Sequence, residues 1–298
     1  MNEIAKENDK FVQADELIKA LHIMDNNELK FMFYTLANRE HGNDYLCTTL
    51  KDVLEQLHLS DGGKQIKTYS KAIKSIIKKS YMEVTTTTDR LPKEEQERHE
   101  KAEEVLISGP LISKSHLFNN GEIEIKFNED FLPLLEDLKH DFTWIYLEQV
   151  ARLNGKYSPR FYEWCKMHLK NNESYKFKWY IEKGTKDAPS LREWLSIGNK
   201  YNTWRELKRR VIEPTVKEIN EVTSDIKIEY EPVRGYDRSI IAIDVTLSAK
   251  HKAPIKEKTE VKKIKLDDKF YEQEETRSYE EIQEEIKRLQ ELLKNNEL

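Results

Sequence analysis

Residues 199–222, NKYNTWRELKRRVIEPTVKEINEV, restrict the fold more than any other stretch, because their pattern predicts one long helix with a single buried face. Thr203 and Glu206 form the Ser/Thr-x-x-Glu capping-box pattern that marks a helix start. Apolar residues follow at helical spacing and predict a buried stripe: Trp204, Leu207, Val211, Ile219 and Val222. Pro214 lacks a backbone donor and is expected to kink the helix near its middle.

The N-terminal half of this helix is basic and rich in hydrogen-bond donors. Arg205 and Arg209 lie four residues apart on one flank, and Arg210 lies on the other. A helix of this kind suits the major groove of DNA. The alternative is an ordinary amphipathic helix whose arginines pair with Glu206 and Glu213. The DNA-binding residues predicted here are Lys200, Tyr201, Asn202, Thr203, Arg205 and Arg209.

A second basic feature lies on the second helix of a predicted helix-turn-helix in residues 49–79. Five lysines at 3-4-3-4 spacing predict one helical face, the lysine ridge: Lys64, Lys67, Lys71, Lys74 and Lys78. The opposite face is predicted to consist of Ile66, Tyr69, Ile73, Ile76 and Ile77. Like charges at i,i+4 repel, and no acid occurs between Asp61 and Glu83. The ridge therefore favours a phosphate partner over the alternative, a merely solvated face.

Strand patterns place both basic helices in the same architecture. Residues 81–88, 104–112 and 122–127 predict strands after the first helix-turn-helix, and the charged insertion 89–103 should point away from DNA. The second half repeats this order, with strands at 226–230 and 241–247 enclosing a tip that carries two further predicted DNA contacts, Arg234 and Arg238. The order predicts an α+β fold of two tandem winged helices.

Charge is distributed unevenly over three predicted segments. Residues 1–138 form an acidic first domain, expected to contribute phosphate contacts. Residues 139–252 form a second domain with 22 basic against 16 acidic residues, expected to be the main DNA reader. Residues 253–298 form a lysine-rich linker and a predicted amphipathic helix. The overall charge of −5 therefore hides a local positive field, which is what attracts phosphate.

Composition removes several function classes. No apolar run is long enough for a membrane span, and residues 1–10 contain no apolar signal core, so we expect a cytoplasmic protein. The two cysteines are too few for a disulfide framework or a structural zinc site, and the eight histidines never occur as His-x-His or His-x-x-x-His. We therefore predict no catalytic residues, no metal and no cofactor. A nicking enzyme is a distant alternative, since it needs a metal cluster.

Two segments resemble the iteron-binding plasmid replication initiators, the initiator Rep protein family. Residues 151–169 are similar to its Lys-Tyr-Ser-x-Arg-x-Tyr-Glu helix start, although Phe161 stands where the family often has an aliphatic residue. Residues 207–233 are similar to its Arg-Val-x-x-Pro-x-x-Lys-Glu-Ile-Asn run. The resemblance covers about residues 20–250.

This resemblance implies two tandem winged helices without catalytic activity. It implies monomers that bind direct repeats in double-stranded origin DNA and open it. It also implies homodimers, formed through the first domain, that repress the initiator's own gene at an operator. The host helicase and the host initiator are the implied protein partners. A winged-helix transcriptional regulator without an origin function is the main alternative.

Overall fold

A short strand and a short helix precede the first winged helix. The computed structural model describes residues 10–20, 23–185 and 188–250, which belong to one compact unit. Strand β1 (Lys10–Ala14) leads directly into α1 (Asp15–Lys19). The predicted tail helix, with Tyr279, Ile282, Ile286, Leu289 and Leu293, lies outside the described residues.

The first winged helix is built around a three-stranded antiparallel sheet. Its elements are α2 (Asn26–Asn38), β2 (Tyr45–Thr49), α3 (Leu50–Gln56), α4 (Gly63–Lys79) and the strands β5 (Ile112–Leu117) and β6 (Glu122–Phe127). The strand order is β2-β6-β5, so the strand after the first helix pairs with the last strand. A capping box formed between Asp25 and Glu28 starts α2.

A separate hairpin interrupts this winged helix between α4 and β5. Strands β3 (Tyr81–Thr87) and β4 (Glu104–Pro110) pair antiparallel, and the insertion between them contains helix α5 (Lys93–Arg98). The predicted strand 104–112 was wrong at its end, because β4 stops at Pro110 and a new strand starts at Ile112. Strand β5 was not predicted, since four of its six residues are polar and they show no clean alternation of buried and exposed positions. After β6 the chain forms a 3₁₀ turn, Glu129–Leu134, with Pro133 inside it.

The second winged helix repeats the first element by element. After β7 (Phe142–Tyr146) and α6 (Leu147–Ala151) come α7 (Ser158–Leu169), β8 (Ser174–Tyr180) and α8 (Leu191–Trp194). The long helix consists of α9 (Trp204–Leu207), a π-helical segment (Lys208–Ile212) and α10 (Glu213–Val222). The wing that follows it consists of β9 (Ile226–Arg234) and β10 (Ile240–Ala249). The strand order β8-β10-β9 matches that of the first sheet, which confirms the predicted repeat.

The start of the chain is built into the second half. Strand β1 pairs antiparallel with β7, with Phe11 opposite Ile145. The Gln13 amide donates a hydrogen bond of 2.6 Å to the Glu163 carboxylate on α7. The Thr143 hydroxyl donates to the carboxylate of Asp15 at 2.7 Å. These buried contacts join the two winged helices through one shared core.

Among the described residues, no helix has both the length and the apolar character that crossing a membrane requires.

Candidate nucleic-acid interface

The reading helix, residues 204–222, starts where the sequence predicted. The Thr203 hydroxyl oxygen accepts a hydrogen bond from the Glu206 amide at 3.3 Å, as an N-cap does. The capping box is only half formed, because the Glu206 carboxylate accepts from the Thr203 hydroxyl at 3.4 Å instead of from its backbone amide. The start of the helix is therefore fixed by one side chain.

Pro214 is accommodated by a change of helix type. The turn that precedes it is the π-helical segment, which is one residue wider than an ordinary turn. The backbone stays helical at Ile212 (φ −69°, ψ −54°) and at Glu213 (φ −58°, ψ −51°). The extra residue shifts the buried stripe, so Val211 and Ile212 are both buried although they are neighbours in sequence.

The arginines of the reading helix face solvent. Arg205, Arg209 and Arg210 are all exposed, and none forms an ion pair with any described residue. Glu213 instead lies 3.4 Å from Lys208. The pairing of arginines with Glu206 and Glu213, which the alternative interpretation required, is thus absent from the described part of the chain. These guanidinium groups remain available to a partner.

The residues before the helix divide into two groups. Lys200, Asn202 and Thr203 are exposed. Tyr201 is half-buried, packs against the hydrophobic core and has a positive φ of 59°. Its carbonyl oxygen accepts a hydrogen bond from Arg192 at 2.8 Å. The structure therefore places Tyr201 facing inward, away from its three neighbours in the predicted set.

One carboxylate anchors the reading helix to the loop before α7. Glu218 accepts hydrogen bonds from the backbone amides of Asn154 (2.7 Å) and Gly155 (2.9 and 3.0 Å). A Cβ at position 155 would lie 2.4 Å from Glu218 Oε2, so this close approach requires glycine. The contact fixes the helix against the rest of its domain.

Two further side chains secure the C-terminal end of the helix. The Lys250 ammonium donates to the carbonyl oxygens of Asn220 (2.6 Å) and Thr223 (2.5 Å), which are otherwise unsatisfied at a helix end. The Asn220 amide both donates to and accepts from the Ile228 backbone, at 2.7 Å each. The helix is thereby held to the first strand of its own wing.

The wing tip lies at the same end of the domain as the start of the reading helix. Arg234 and Arg238 are exposed on either side of the tip, and an Arg234 guanidinium nitrogen donates to the Arg238 carbonyl at 3.4 Å. A groove of about 490 Å³ separates wing and helix. Residues from both sides line it, among them Asn202, Trp204, Leu207, Ser239, Ile240 and Ile241. The groove thus lies between the start of the reading helix and the wing, and the predicted DNA-binding arginines belong to these two segments without lining the groove.

The lysine ridge of α4 is fully solvent-facing. Its five lysines are exposed, and their ammonium groups have no ion pair or hydrogen bond with any residue the structure describes. The buried face of α4 consists of Tyr69, Ala72, Ile73 and Ile76. The other two residues of the predicted face are only partly buried: Ile66 is 41% exposed and Ile77 is 37% exposed. They lie at the margins of a stripe that packs against α2 and β5.

Other cations of the first winged helix are neutralised locally. Lys114 lies 3.0 Å from Glu124, and Lys126 lies 3.2 Å from Asp44 and 2.8 Å from Glu129. These partners raise the pKa of both lysines. The lysine ridge differs from Lys114 and Lys126 in having no acidic partner among the described residues.

Of the two segments that carried the family resemblance, residues 151–169 are mostly buried. The Tyr162 hydroxyl donates to Asp225 at 2.7 Å, and the Arg160 guanidinium lies 4.3 Å from the centre of the Trp194 ring. Glu163 is fully enclosed, and burial raises its pKa to about 7. Glu218 and Asn220, which hold the reading helix in place, also belong to the family-like residues 207–233. Neither residue was predicted to have this positioning role, although the family-like motif contains both.

The chemistry of the surface is that of polyanion binding. Within residues 10–20, 23–185 and 188–250, no three His, Cys, Asp or Glu side chains are grouped to hold a metal ion. Solvent-facing lysines on one helix and arginines on another suit contacts with phosphates and with base edges.

Two family models match this chain. The model described as "Initiator Replication protein, WH1" matches residues 10–166. The model described as "Initiator Rep protein, WH2" matches residues 189–247. Together they span more than half of the chain, with the first match ending inside α7 at residue 166 and the second starting just before α8 at residue 189.

A curated relative and a solved structure are also similar. A "Replication initiation protein" of Escherichia coli is 30% identical over 103 residues, which are 35% of this chain and 31% of the relative. The chain thus matches about a third of that protein's length. The Pi initiator protein, solved in complex with iteron DNA, is 16% identical with a TM-score of 0.62, over 83% of this chain and 100% of that chain. At this identity the likeness shows the fold.

Proposed function

Since the chain belongs to the initiator Rep protein family, we propose that it starts plasmid replication by binding repeated sequences in double-stranded origin DNA. The observation that carries the proposal is the pair of solvent-facing cationic helices, one in each winged helix of a single compact unit. The Pi initiator, which shares this fold, was solved bound to iteron DNA. We place this activity in the cytoplasm.

The two winged helices have different roles in this proposal. The second supplies most of the base readout through Arg205, Arg209 and Asn202, because arginine and asparagine make bidentate contacts with base edges. The first contributes mainly phosphate contacts through the lysine ridge. We assign these roles to residues 139–252 and 1–138, with residues 253–298 outside the DNA interface.

Simultaneous docking sets the expected footprint. Two helices in successive major grooves on one face of the duplex lie about 10.5 base pairs apart. Since each covers several base pairs, one monomer should protect roughly 20 continuous base pairs.

The test is selection followed by footprinting. The full chain is used to select duplexes from a randomised library, and the selected sequence is compared with the DNA that flanks the gene. Recovery of a sequence that recurs as short direct repeats beside an AT-rich segment supports an initiator. A single site at the promoter without repeats would favour the transcriptional regulator. Absence of any selected sequence would contradict sequence-specific binding.

The finer partners belong to the same proposal. We propose a homodimer in equilibrium with the monomer, formed through the first winged helix, that represses its own gene, while the monomer opens the origin and recruits the host helicase and host initiator. The β3–β4 hairpin supports this, because it is a two-stranded sheet whose outer face exposes Tyr81 (50%) and Leu106 (60%). Sedimentation over a concentration series tests the equilibrium, and loss of dimer on Leu106→Glu locates the interface.

A further inference from the structure

The second wing ends in a tyrosine that makes no contact with the rest of the described chain. Tyr236 is 112% exposed, the most exposed large hydrophobic side chain among the described residues. Its hydroxyl has no hydrogen-bond partner and its ring no aromatic neighbour there. An aromatic ring left in water forgoes the stabilisation that burial gives, so its position at a functional surface indicates a partner.

The backbone that presents Tyr236 is well ordered by hydrogen bonds. The Gly235 amide donates to the Ser239 carbonyl at 2.8 Å, and the Arg238 amide donates to the Gly235 carbonyl at 3.1 Å. Asp237 accepts from the Ser239 amide (3.1 Å) and hydroxyl (2.6 Å). A Cβ at position 235 would lie 3.0 Å from the Ile241 side chain, so glycine lets the tip fold back closely. These bonds therefore fix the backbone of the turn from which the Tyr236 ring projects into solvent.

The surroundings of the ring identify a class of partner. Arg234 and Arg238 flank it, and the groove of about 490 Å³ lies between the wing and the start of the reading helix. With the reading helix in a major groove, that space is where one sugar–phosphate strand passes. The next feature beyond the strand is the minor groove, about 6 Å wide, whose negative potential attracts arginine.

We propose that Tyr236 enters the minor groove beside the major groove occupied by the reading helix, with Arg234 and Arg238 holding the flanking phosphates. This inference rests on the proposed DNA binding and adds a second, independent readout to it. Apolar wedges that enter the minor groove partly unstack a base step, so the ring senses both groove width and the ease of unstacking. Tyr236 is thus a specificity-determining residue that acts apart from the arginines of the reading helix.

The first wing provides a matched comparison. Its tip also carries an aromatic residue, Phe118, but that side chain is only 41% exposed. The Leu50 amide at the start of α3 donates to the Gly121 carbonyl at 2.8 Å, which draws this shorter tip back onto its own domain. Phe118→Ala therefore removes an exposed aromatic wing residue without removing the proposed minor-groove contact.

Base analogues separate the two grooves. On the duplex selected by the wild-type chain, inosine replaces guanine and diaminopurine replaces adenine, one position at a time, which changes the minor-groove amino group alone. In parallel, 7-deazaguanine removes the N7 acceptor of the major groove. Affinities for each duplex are measured with the wild type and with Tyr236→Ala, Tyr236→Phe and Phe118→Ala.

We expect Tyr236→Ala to weaken binding to the unmodified duplex about tenfold, as loss of one aromatic contact with DNA bases does. It should also abolish the sensitivity to inosine and diaminopurine at one step, while sensitivity to 7-deazaguanine persists. Tyr236→Phe should stay within about twofold of the wild type, because the ring makes the contact. Phe118→Ala should keep both sensitivities.

Two results would overturn the inference without touching the proposed function. One is wild-type affinity and analogue sensitivity in Tyr236→Ala. The other is weaker binding with the minor-groove sensitivity intact, which would place the ring on the sugar–phosphate strand. Failure of the wild type to select any sequence would instead refute the DNA-binding proposal itself.

Discussion

The two helices that face solvent, α4 and the reading helix, occupy equivalent places in their winged helices but are built differently. Helix α4 is 17 residues of regular α-helix, has Gly62 as an N-cap without a side-chain hydrogen bond, and carries lysines. The reading helix is capped by Thr203, contains a π-helical segment and carries arginines. Lysine acts as a mobile point charge, whereas arginine presents a planar fork.

The difference extends to how each helix is held. Glu218, Asn220 and Lys250 hold the C-terminal half of the reading helix, and Thr203 caps its start. Base readout needs donors placed within a fraction of an ångström, because a misaligned bidentate contact loses its selectivity. Phosphate attraction tolerates looser placement. The comparison indicates that rigid anchoring and arginine chemistry occur together where sequence is to be read.

The helices that support these two also differ in their buried charges. In α2, the Lys30 ammonium donates to the Ala151 carbonyl at 2.7 Å, and burial lowers its pKa to about 8. In α7, burial raises the pKa of Glu163 to about 7 from 4.5, although Gln13 and Arg160 partly oppose this shift. Each support therefore contains a group whose charge is costly inside the protein.

The largest expected effect concerns Glu163→Gln. The folded-state pKa lies above the unfolded value, so the stabilising contribution is complete below about pH 4.5 and is lost as the pH rises through about 7. The wild type should therefore lose about 3 kcal/mol relative to Glu163→Gln between about pH 5 and pH 8. Urea unfolding of both proteins across this range measures the difference.

Comparing the wild type with Glu163→Gln cancels the contributions of the other titrating groups to the pH dependence. His168, whose pKa burial lowers to about 4, and Lys30 titrate in both proteins and cancel. If the free energies of unfolding of the two proteins changed in parallel with pH, Glu163 would have to stay charged throughout. Helix α7 would then be no more sensitive to pH than helix α2.

Arg209 tests whether the reading helix discriminates between bases. Arg209→Ala should cost about 1–3 kcal/mol on the selected duplex and relax the preference at one base pair, with a much smaller loss on random DNA. Arg209→Lys keeps the charge but should lose the preference, since an ammonium lacks the bidentate fork. Fluorescence anisotropy on both duplexes measures this. Equal losses on the two DNAs would make the reading helix resemble α4.

Arg210→Ala is the matched control for that measurement. Arg210 is equally exposed and next in sequence, but it is predicted to lie on the other flank of the helix. It should change affinity on both duplexes alike.

The lysine ridge tests whether α4 contacts phosphates without discriminating between DNA sequences. Lys71→Ala with Lys74→Ala removes two expected phosphate contacts, so the slope of log affinity against log salt should flatten by about 1.8, at about 0.9 per contact. Affinity at low salt should fall by a similar factor on selected and random DNA. Salt titrations of both duplexes provide the measurement.

Lys114→Ala provides the control in the same winged helix. Lys114 is already paired with Glu124, so its removal should leave the salt slope unchanged. An unaltered slope in the double variant as well would mean that α4 faces no phosphate and that the first winged helix serves mainly in assembly.

The smallest effects come from the helix starts. Thr203→Ala should lower the free energy of unfolding by about 1 kcal/mol, because it removes the N-cap. Gly62→Ser should raise it by a few tenths of a kcal/mol, since a serine there adds the cap that α4 lacks. Residue 62 has φ −67° and ψ 149°, which any residue adopts. Thermal unfolding with matched buffers distinguishes the two, and equal shifts would show that both helices start alike.

Local pattern determined much of this protein. Helical spacing predicted α4 and the reading helix within a residue or two of their observed ends. The alternation in residues 122–127 and 241–247 located one strand of each wing. The exposure of the lysine ridge and of Arg205 and Arg209 also followed from spacing. These features depend on neighbours three or four residues away, which the sequence lists directly.

Tertiary structure decided what depends on distant partners. Strand β1 pairs with β7, and Gln13 meets Glu163 across 150 residues of sequence. Tyr201 faces inward because it packs against the hydrophobic core. Residues 112–117 form a strand because they pair with β6. The family-like residues Arg160 and Glu163 are polar by type, yet the fold encloses them. Burial and pairing of this kind arise from packing between segments, so no local pattern encodes them.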